Sequence, residues 1–184
     1  TRTAAEKRSL HHLHDRLANG IRNNGKPIIV KVRGYCIGGG NELNVLCDLT
    51  ISGASGKFGQ AGPKIGSAPL WWGCQLLPQV VGEKKAREIL YLTRQYTADE
   101  ALAMGLVNAV VPPDQLDAEV QKWCDEITEK SPTAIAIAKR SFNMDTAHQG
   151  GIAGMGLYAL KLYYDTEESR EGVKAFQEKR KPDF

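Results

Sequence analysis

The spacing of apolar residues separates a first part of the chain, where strands and helices alternate, from a second part that consists of helices. Leucine and isoleucine recur at helical spacing in residues 6–23, which predicts an amphipathic helix. Pro27 then precedes a run of β-branched residues at 28–32, which predicts a buried strand. The same reasoning predicts a helix at 41–47 and strands at 48–52 and 57–59. Such alternation is typical of a layered α/β fold.

Periodic segments after residue 82 complete the pattern. Residues 83–92 form a predicted helix, and Thr97 has the sequence of a capping box for the next one. A strand is predicted at 106–111, and helices at 114–130, 132–147, 152–164 and 166–179. We therefore divide the chain near Pro113 into an α/β core, residues 1–113, and a helical region, residues 114–184. The amphipathic helices of the second region need a partner surface.

A glycine-rich break in residues 32–43 is the strongest functional signal. An apolar run there stops at Gly38, Gly39 and Gly40 and restarts as a helical pattern. Glycine lets a ligand approach the backbone closely, and the N–H groups that open a helix lie at the positive end of its dipole. The site therefore suits an oxyanion, although a tight turn that uses glycine only for packing is the alternative. The spacing fits neither a dinucleotide fingerprint nor a P-loop.

A second candidate is the loop at residues 60–69, whose two prolines and two glycines predict a rigid, irregular path of the kind that often carries function. Trp71 and Trp72 follow it on what the pattern predicts to be the start of a helix, where adjacent side chains point about 100° apart. They are either core or subunit contacts or, for one of them, a wall for a flat ring.

Composition narrows the functional class. With 184 residues, 42% hydrophobic and 24% charged, the chain is an ordinary globular domain, and a net charge of +3 suits an anionic substrate tail better than nucleic acid. Four cysteines without CxxC pairing predict reduced core thiols, and we interpret the histidines at 11, 12 and 14 as a solvated helix face without metal. No apolar run is long enough for a membrane span and no signal peptide is visible, so we predict a cytoplasmic protein without membrane or nucleic-acid partners.

Several motifs in order carry a family resemblance. They are VRGYCIGGGNELNVLCDLTIS (32–52), FGQAGPKIGSAP (58–69), VVGEKKAREILYLTRQYTADEALAMGLVNAVVP (80–112) and LYYDTEESREGVKAFQEKRKPDF (162–184). From about residue 25 to 184 the chain resembles the crotonase (enoyl-CoA hydratase/isomerase) superfamily, and within it the 1,4-dihydroxy-2-naphthoyl-CoA synthases and the 2-ketocyclohexanecarboxyl-CoA hydrolases.

The resemblance implies a crotonase-like spiral of ββα turns followed by helices that pack between subunits in a homotrimer or a dimer of trimers. It implies an acyl-CoA substrate and no cofactor other than the coenzyme A of that substrate. The N-terminal strands and the first oxyanion loop of the family are not recognisable in this sequence. We therefore expect a fragment, or a partly ordered chain, with a core truncated at its N-terminus.

Site residues follow from the same motifs. In the family, the N–H that matches Gly39 holds a thioester enolate, and Glu42 matches one of the two catalytic glutamates of the hydratases. Ser67 and Tyr164 match a serine and a tyrosine in the active site of the naphthoyl-CoA synthases. The residues implied to contact coenzyme A or substrate are Cys36, Ile37, Gly38, Gln60, Gly62, Phe176 and Lys179. Each of four residues also has a structural alternative. Ser67 can serve only to form the turn, and Glu42 can serve as an acidic residue at a helix start. Tyr164 can pack at a subunit interface, and Lys179 can be a solvated surface charge.

The chain also departs from the family at two carboxylate positions. Gly62 stands where hydratases have their second glutamate, and Pro69 stands where the synthases have an aspartate. Ala61 and Leu90 replace a threonine and a tryptophan of the synthases' bicarbonate site, so no bicarbonate is expected. Three hypotheses follow: an enzyme acting on a cyclic or ring-derived acyl-CoA, a catalytically reduced binding or structural subunit, and an RNA-binding protein, which the low net charge disfavours.

Overall fold

Six strands form two small sheets in the computed structural model, which describes the backbone of residues 4–184 and the side chains of residues 13–184. One sheet is parallel and contains, in spatial order, β1 (Ile29–Val32), β3 (Leu49–Gly53) and β6 (Ala109–Val111). The other contains β2 (Tyr35–Ile37), β4 (Lys57–Gly59) and β5 (Gln95–Thr97), with β2 parallel and β5 antiparallel to β4.

Helices account for most of the remaining chain. They are α1 (Ala4–Asn23), α2 (Gly39–Leu46), α3 (Gly73–Val81), α4 (Glu83–Leu92), α5 (Ala98–Ala103), α6 (Leu116–Thr128), α7 (Pro132–Asp145), α8 (Gly150–Tyr163) and α9 (Glu167–Gln177). Thr97 caps α5 through the predicted capping box. Within the part of the chain that the structure describes, none of these helices has the length and apolar character needed to cross a bilayer.

The order of the strands produces a spiral. β1 joins the first sheet and β2 the second, α2 follows, and then β3 and β4 again add one strand to each sheet. Each ββα turn therefore lays a new strand beside the previous one in both sheets. This confirms the predicted ββα core followed by helices.

Two apolar clusters hold the layers together. Phe58, Leu77 and Ile89 have no exposed surface in the first, which lies between the second sheet and the helices α3 and α4. Trp72 and Ala153 belong to the second, where α1, α3 and α8 meet. The C-terminal helices thus pack on the core of the same chain.

The structure corrects three local predictions. Helix α2 begins at Gly39, two glycines earlier than the apolar pattern indicated, and the loop at 60–69 contains a 3₁₀ turn, Gly62–Lys64. Trp72 has left-handed backbone angles (φ 65°) and precedes α3, so the helical geometry expected for Trp71 and Trp72 was wrong. The helix expected to start there begins only at Gly73, as α3, and it contains Pro78, a residue that usually interrupts a helix.

A buried ion pair anchors α7 to the core. Lys139 is 5% exposed and its Nζ donates to Asp48 Oδ2 at 2.7 Å and to the carbonyl of Lys26 at 2.9 Å. Asp48 Oδ2 also accepts the backbone N–H of Ile28 at 2.8 Å. One carboxylate therefore holds the start of β1 and a helix that is remote in sequence.

We predict that Asp48→Asn lowers the free energy of unfolding by roughly 2–4 kcal/mol, because it leaves the buried Lys139 ammonium without a counter-charge. The matched control is Arg87→Met, which breaks the exposed pair with Glu83 on α4 and should leave stability nearly unchanged. Urea denaturation of both variants makes the comparison, and equal losses would contradict the assigned role of the buried pair.

Candidate active site

The glycine turn joins strand β2 to the start of helix α2. Gly38 has φ 59° and ψ −123°, a conformation that favours glycine, and Gly39 is the first residue of α2. A methyl group added at Gly38, Gly39 or Gly40 would meet no heavy atom of another residue within 4 Å. The Cβ side of these three glycines is therefore unpacked, and the first N–H groups of α2 have no acceptor within the helix itself.

Sheet pairing places the loop at 60–69 beside this turn. Ile37 at the end of β2 pairs with Gly59 at the end of the parallel strand β4, and the Gly38 N–H donates to the Gly59 carbonyl at 3.0 Å. Gln60 follows directly and is 2% exposed. The glycine turn and the 60–69 loop therefore leave the same edge of the second sheet next to each other.

Glu42 lies on α2, three residues after Gly39 and hence on the same side of the helix. Its side chain is 6% exposed, and Oε1 accepts the backbone N–H of Trp71 at 2.8 Å. Burial raises the pKa of this carboxyl to about 7, against the opposing effect of hydrogen bonds from the backbone of Trp71 and Gly73. The group can thus gain or lose a proton near neutral pH, and it also binds the N-terminal end of α3.

Close packing around Gly73 explains how the loop reaches this carboxylate. A Cβ at Gly73 would lie 2.9 Å from Glu42 Oε1 and 3.3 Å from the Cβ of Pro69. Glycine at this position therefore lets the end of the 60–69 loop and the start of α3 come directly against Glu42. Sequence analysis missed the contribution of Trp71 and Gly73, because backbone donors leave no signal in side-chain type.

The loop also folds against itself at Gly62. A Cβ at Gly62 would lie 2.9 Å from the carbonyl oxygen of Ser67, and the Ser67 N–H donates to the Gly62 carbonyl at 2.9 Å. A side chain at position 62 would force the loop to shift. This loop conformation is therefore compatible with glycine at position 62 and not with a residue that carries a carboxylate side chain.

Ser67 and Tyr164 are brought together by the tail. Their hydroxyl oxygens lie 2.8 Å apart, although the residues are far separated in sequence. Helix α9 holds the loop in place, since Ser169 Oγ donates to the Gly66 carbonyl at 2.7 Å and a Cβ at Gly172 would lie 2.3 Å from the Gly66 nitrogen. Backbone-to-backbone contact between two glycines thus positions the serine–tyrosine pair.

The other predicted contact residues are placed differently. The Cys36 side chain is 5% exposed and its Sγ donates to the Gly40 carbonyl at 3.4 Å, so it supports the turn from inside. Ile37 is half-buried at the end of β2. Phe176 and Lys179 are exposed at the C-terminal end of α9. The structure therefore brings the glycine turn, Glu42 and the 60–69 loop together. Phe176 and Lys179 lie on an open surface.

The absence of a metal site remains a prediction. Among the residues described, no three or more His, Cys, Asp or Glu side chains are grouped to hold a metal ion. The side chains of residues 11 and 12 lie outside the described part of the structure.

Comparisons with known proteins identify the family. The family described as enoyl-CoA hydratase/isomerase matches residues 2–184. The chain belongs to this family. The predicted crotonase resemblance is thereby confirmed at the family level.

Solved structures agree with this assignment. An enoyl-CoA hydratase from Mycobacterium avium subsp. paratuberculosis K-10 has a TM-score of 0.90 and 28% identity, over 97% of this chain and 73% of that one. An enoyl-CoA hydratase/isomerase from Pseudoalteromonas atlantica T6c has a TM-score of 0.86 and 29% identity, over 92% and 68%. A methylmalonyl-CoA decarboxylase, solved in complex with 2-nitronate-propionyl-CoA, has a TM-score of 0.79 and 28% identity, over 92% and 66%.

The contact between α9 and the loop yields a stability prediction. Gly172→Ala should lower the free energy of unfolding by roughly 1–3 kcal/mol, because the new methyl group meets the Gly66 backbone. Gly154→Ala in α8 is the control, since nothing lies within 4 Å of its added methyl, and it should stabilise by up to about 1 kcal/mol. Urea denaturation with hydrogen exchange of α9 measures both, and losses of similar size would refute the proposed contact.

The raised pKa of Glu42 yields a prediction for pH dependence. Between the ordinary value of 4.5 and the folded value of about 7, the folded state holds a proton that the unfolded state has lost, so this group destabilises the fold as pH rises through that window. Gln at position 42 does not titrate. The stability difference between Glu42→Gln and the unmodified protein should therefore shift in favour of the variant by roughly 2–3 kcal/mol between about pH 5 and about pH 8. Parallel pH–stability curves would show that the Glu42 pKa is not raised.

Proposed function

We propose that this protein is an enzyme that acts on an acyl-CoA thioester and stabilises the enolate of that thioester with the N–H of Gly39. The observation that carries the proposal is a buried carboxyl with a pKa of about 7, Glu42, in the first turn of the helix that Gly39 opens. An N–H fixed at the position of a developing oxyanion contributes ~3 to 4 kcal/mol in acyl-transfer sites. A nearby group that exchanges protons at neutral pH completes the requirements for enolate chemistry.

In this proposal Glu42 is the principal acid or base. Its hydrogen bond from Trp71 N–H fixes one carboxylate oxygen, so the carboxyl is held in one orientation while the acyl group reacts. Ser67 and Tyr164 form a hydroxyl pair that positions the acyl group or relays a proton. Gln60, Gly62, Cys36, Ile37 and Gly38 form the surrounding substrate wall, and Phe176 and Lys179 meet the coenzyme A end.

The acyl group in the proposal is cyclic or ring-derived, and the reaction is hydration, isomerisation or ring C–C cleavage, with a lyase reaction favoured. The contact between Ser67 and Tyr164 supports it, because the serine matches that of the naphthoyl-CoA synthases and the ring hydrolases and the tyrosine matches that of the synthases. Only one of the two hydratase carboxylates has a counterpart, because position 62 is glycine, and a side chain there would collide with the loop in its present conformation. We place the enzyme in the cytoplasm as a trimer or a dimer of trimers.

Two alternatives have specific support. A 1,4-dihydroxy-2-naphthoyl-CoA synthase activity is favoured by the contact between Ser67 and Tyr164, and disfavoured by Pro69 at the aspartate position. A catalytically reduced binding or structural subunit is favoured by the missing carboxylates at 62 and 69. Calorimetry with coenzyme A thioesters, followed by turnover of a panel of linear and cyclic acyl-CoAs, separates the alternatives, since a reduced subunit binds without turnover.

The deciding variant is Glu42→Gln, which keeps an oxygen acceptor for the Trp71 N–H but cannot exchange a proton as a carboxyl does. We expect kcat to fall by on the order of 10² to 10⁴ while the dissociation constant for coenzyme A changes little. The matched control is Glu126→Gln on the exposed surface of α6, which should leave kcat unchanged. Near-normal turnover by Glu42→Gln, combined with inactive Ser67→Ala or Tyr164→Phe, would transfer the acid–base role to the hydroxyl pair.

A further inference from the structure

A small cavity of about 220 Å³ lies where the C-terminal ends of α1 and α7 meet Trp72. Its wall includes two arginines, Arg22 from α1 and Arg140 from α7. Among the residues described, no aspartate or glutamate lines it. The described wall of this cavity therefore carries positive charge without a compensating carboxylate.

Arg22 is held in one position by contacts at both ends of the residue. Its side chain is 8% exposed, and its backbone carbonyl accepts a hydrogen bond from Asn143 Nδ2 at 2.7 Å. Its Nη2 atom donates to the Asn143 carbonyl at 2.9 Å and to the Thr146 hydroxyl. The guanidinium also lies over the indole of Trp72, with Cζ 4.3 Å from the ring centroid. The cationic group is thus fixed before any ligand arrives.

The positive charge of this pair of arginines is not neutralised by the protein. The hydrogen-bond acceptors of Arg22 are a carbonyl and a hydroxyl, and neither arginine forms an ion pair among the residues described. The C-terminal end of α7 supplies the equivalent of about half a negative charge, which leaves part of the Arg22 charge and the whole of the Arg140 charge. Burial lowers the pKa of Arg22. A buried cation without a counter-charge is costly, which favours the binding of an anion.

Unused donors of Arg22 are available to such an anion. Its Nε and Nη1 atoms have no acceptor among the residues described, and neither atom is enclosed by the protein. The side chains of Asn19 and Asn23 line the same cavity and add amide N–H groups. The volume is below the roughly 300 Å³ at which sites for larger organic ligands begin. The cavity therefore suits a small anion with several oxygen acceptors.

We propose that this cavity binds a small oxyanion of the phosphate and sulfate class, held by Nε and Nη1 of Arg22 and by the guanidinium of Arg140. The site is separate from the proposed acyl-CoA site and does not depend on that function. A bound oxyanion connects α1 to α7. Through Trp72 it also supports the start of α3, where the Trp71 N–H binds Glu42.

The test measures thermal unfolding of the full chain in phosphate and in chloride at equal ionic strength, and the dissociation constant for phosphate by calorimetry. We expect phosphate to raise the melting temperature in a saturable way, because it binds the folded state. Arg140→Met keeps every hydrogen bond of Arg22 and should weaken phosphate binding about tenfold, the effect of one charge-assisted contact. Arg94→Met removes the same charge from an exposed position outside the cavity and should leave phosphate binding unchanged.

A general salt effect is distinguished by the same variants. Phosphate stabilises many proteins because it is excluded from their surface. That effect does not saturate and would raise the melting temperature of all variants equally, which would overturn the proposal. Arg22→Gln should abolish the saturable response. An unchanged dissociation constant in Arg140→Met overturns the proposal even if Arg22→Gln does not fold.

Coenzyme A also carries phosphate groups, so a further arm distinguishes the source of the oxyanion. Arg140→Met should leave the dissociation constant for coenzyme A unchanged, because the proposed coenzyme contacts are elsewhere, at Phe176 and Lys179. An equal loss of phosphate and coenzyme A affinity would place this cavity in the coenzyme site and overturn the separate oxyanion site. If coenzyme A thioesters do not bind at all, the proposed enzymatic function fails, while saturable phosphate binding that Arg140→Met weakens still supports the oxyanion site.

Discussion

The hydrogen bond between the Glu42 carboxylate and the backbone at the start of α3 is the interaction on which the site depends. A carboxyl this deeply buried is expensive, and the N–H groups of Trp71 and Gly73 offset part of that cost. The same contact connects α2, which presents the glycine turn, to α3, which carries Trp72 into the cluster with α1 and α8. The Glu42 side chain thus carries the carboxyl with the raised pKa and also joins α2 to the start of α3.

A second constraint is the close approach of α9 to the 60–69 loop. Two glycine backbones touch there, and the Ser169 hydroxyl closes the contact by donating to the loop. This contact places Tyr164 beside Ser67, so a hydroxyl pair forms between groups 97 residues apart in the chain. The loop that carries Ser67 has a conformation that excludes a side chain at Gly62. The loop conformation therefore restricts which residue can stand at position 62.

The sequence by itself determined the elements whose signals are local. Apolar periodicity predicted α4 to the residue, the Thr97 capping box predicted the start of α5, and the glycine run with its flanking motifs predicted the turn and the family. Tertiary structure decided what depends on distant backbone. The binding of Glu42 by Trp71 and Gly73, the incompatibility of a side chain at Gly62, and the Ser67–Tyr164 contact involve peptide groups or long separations in sequence, for which residue type carries no pattern. Glu42 shows the division most clearly, since its position was readable in the motif but its pKa arises only from burial in the folded chain.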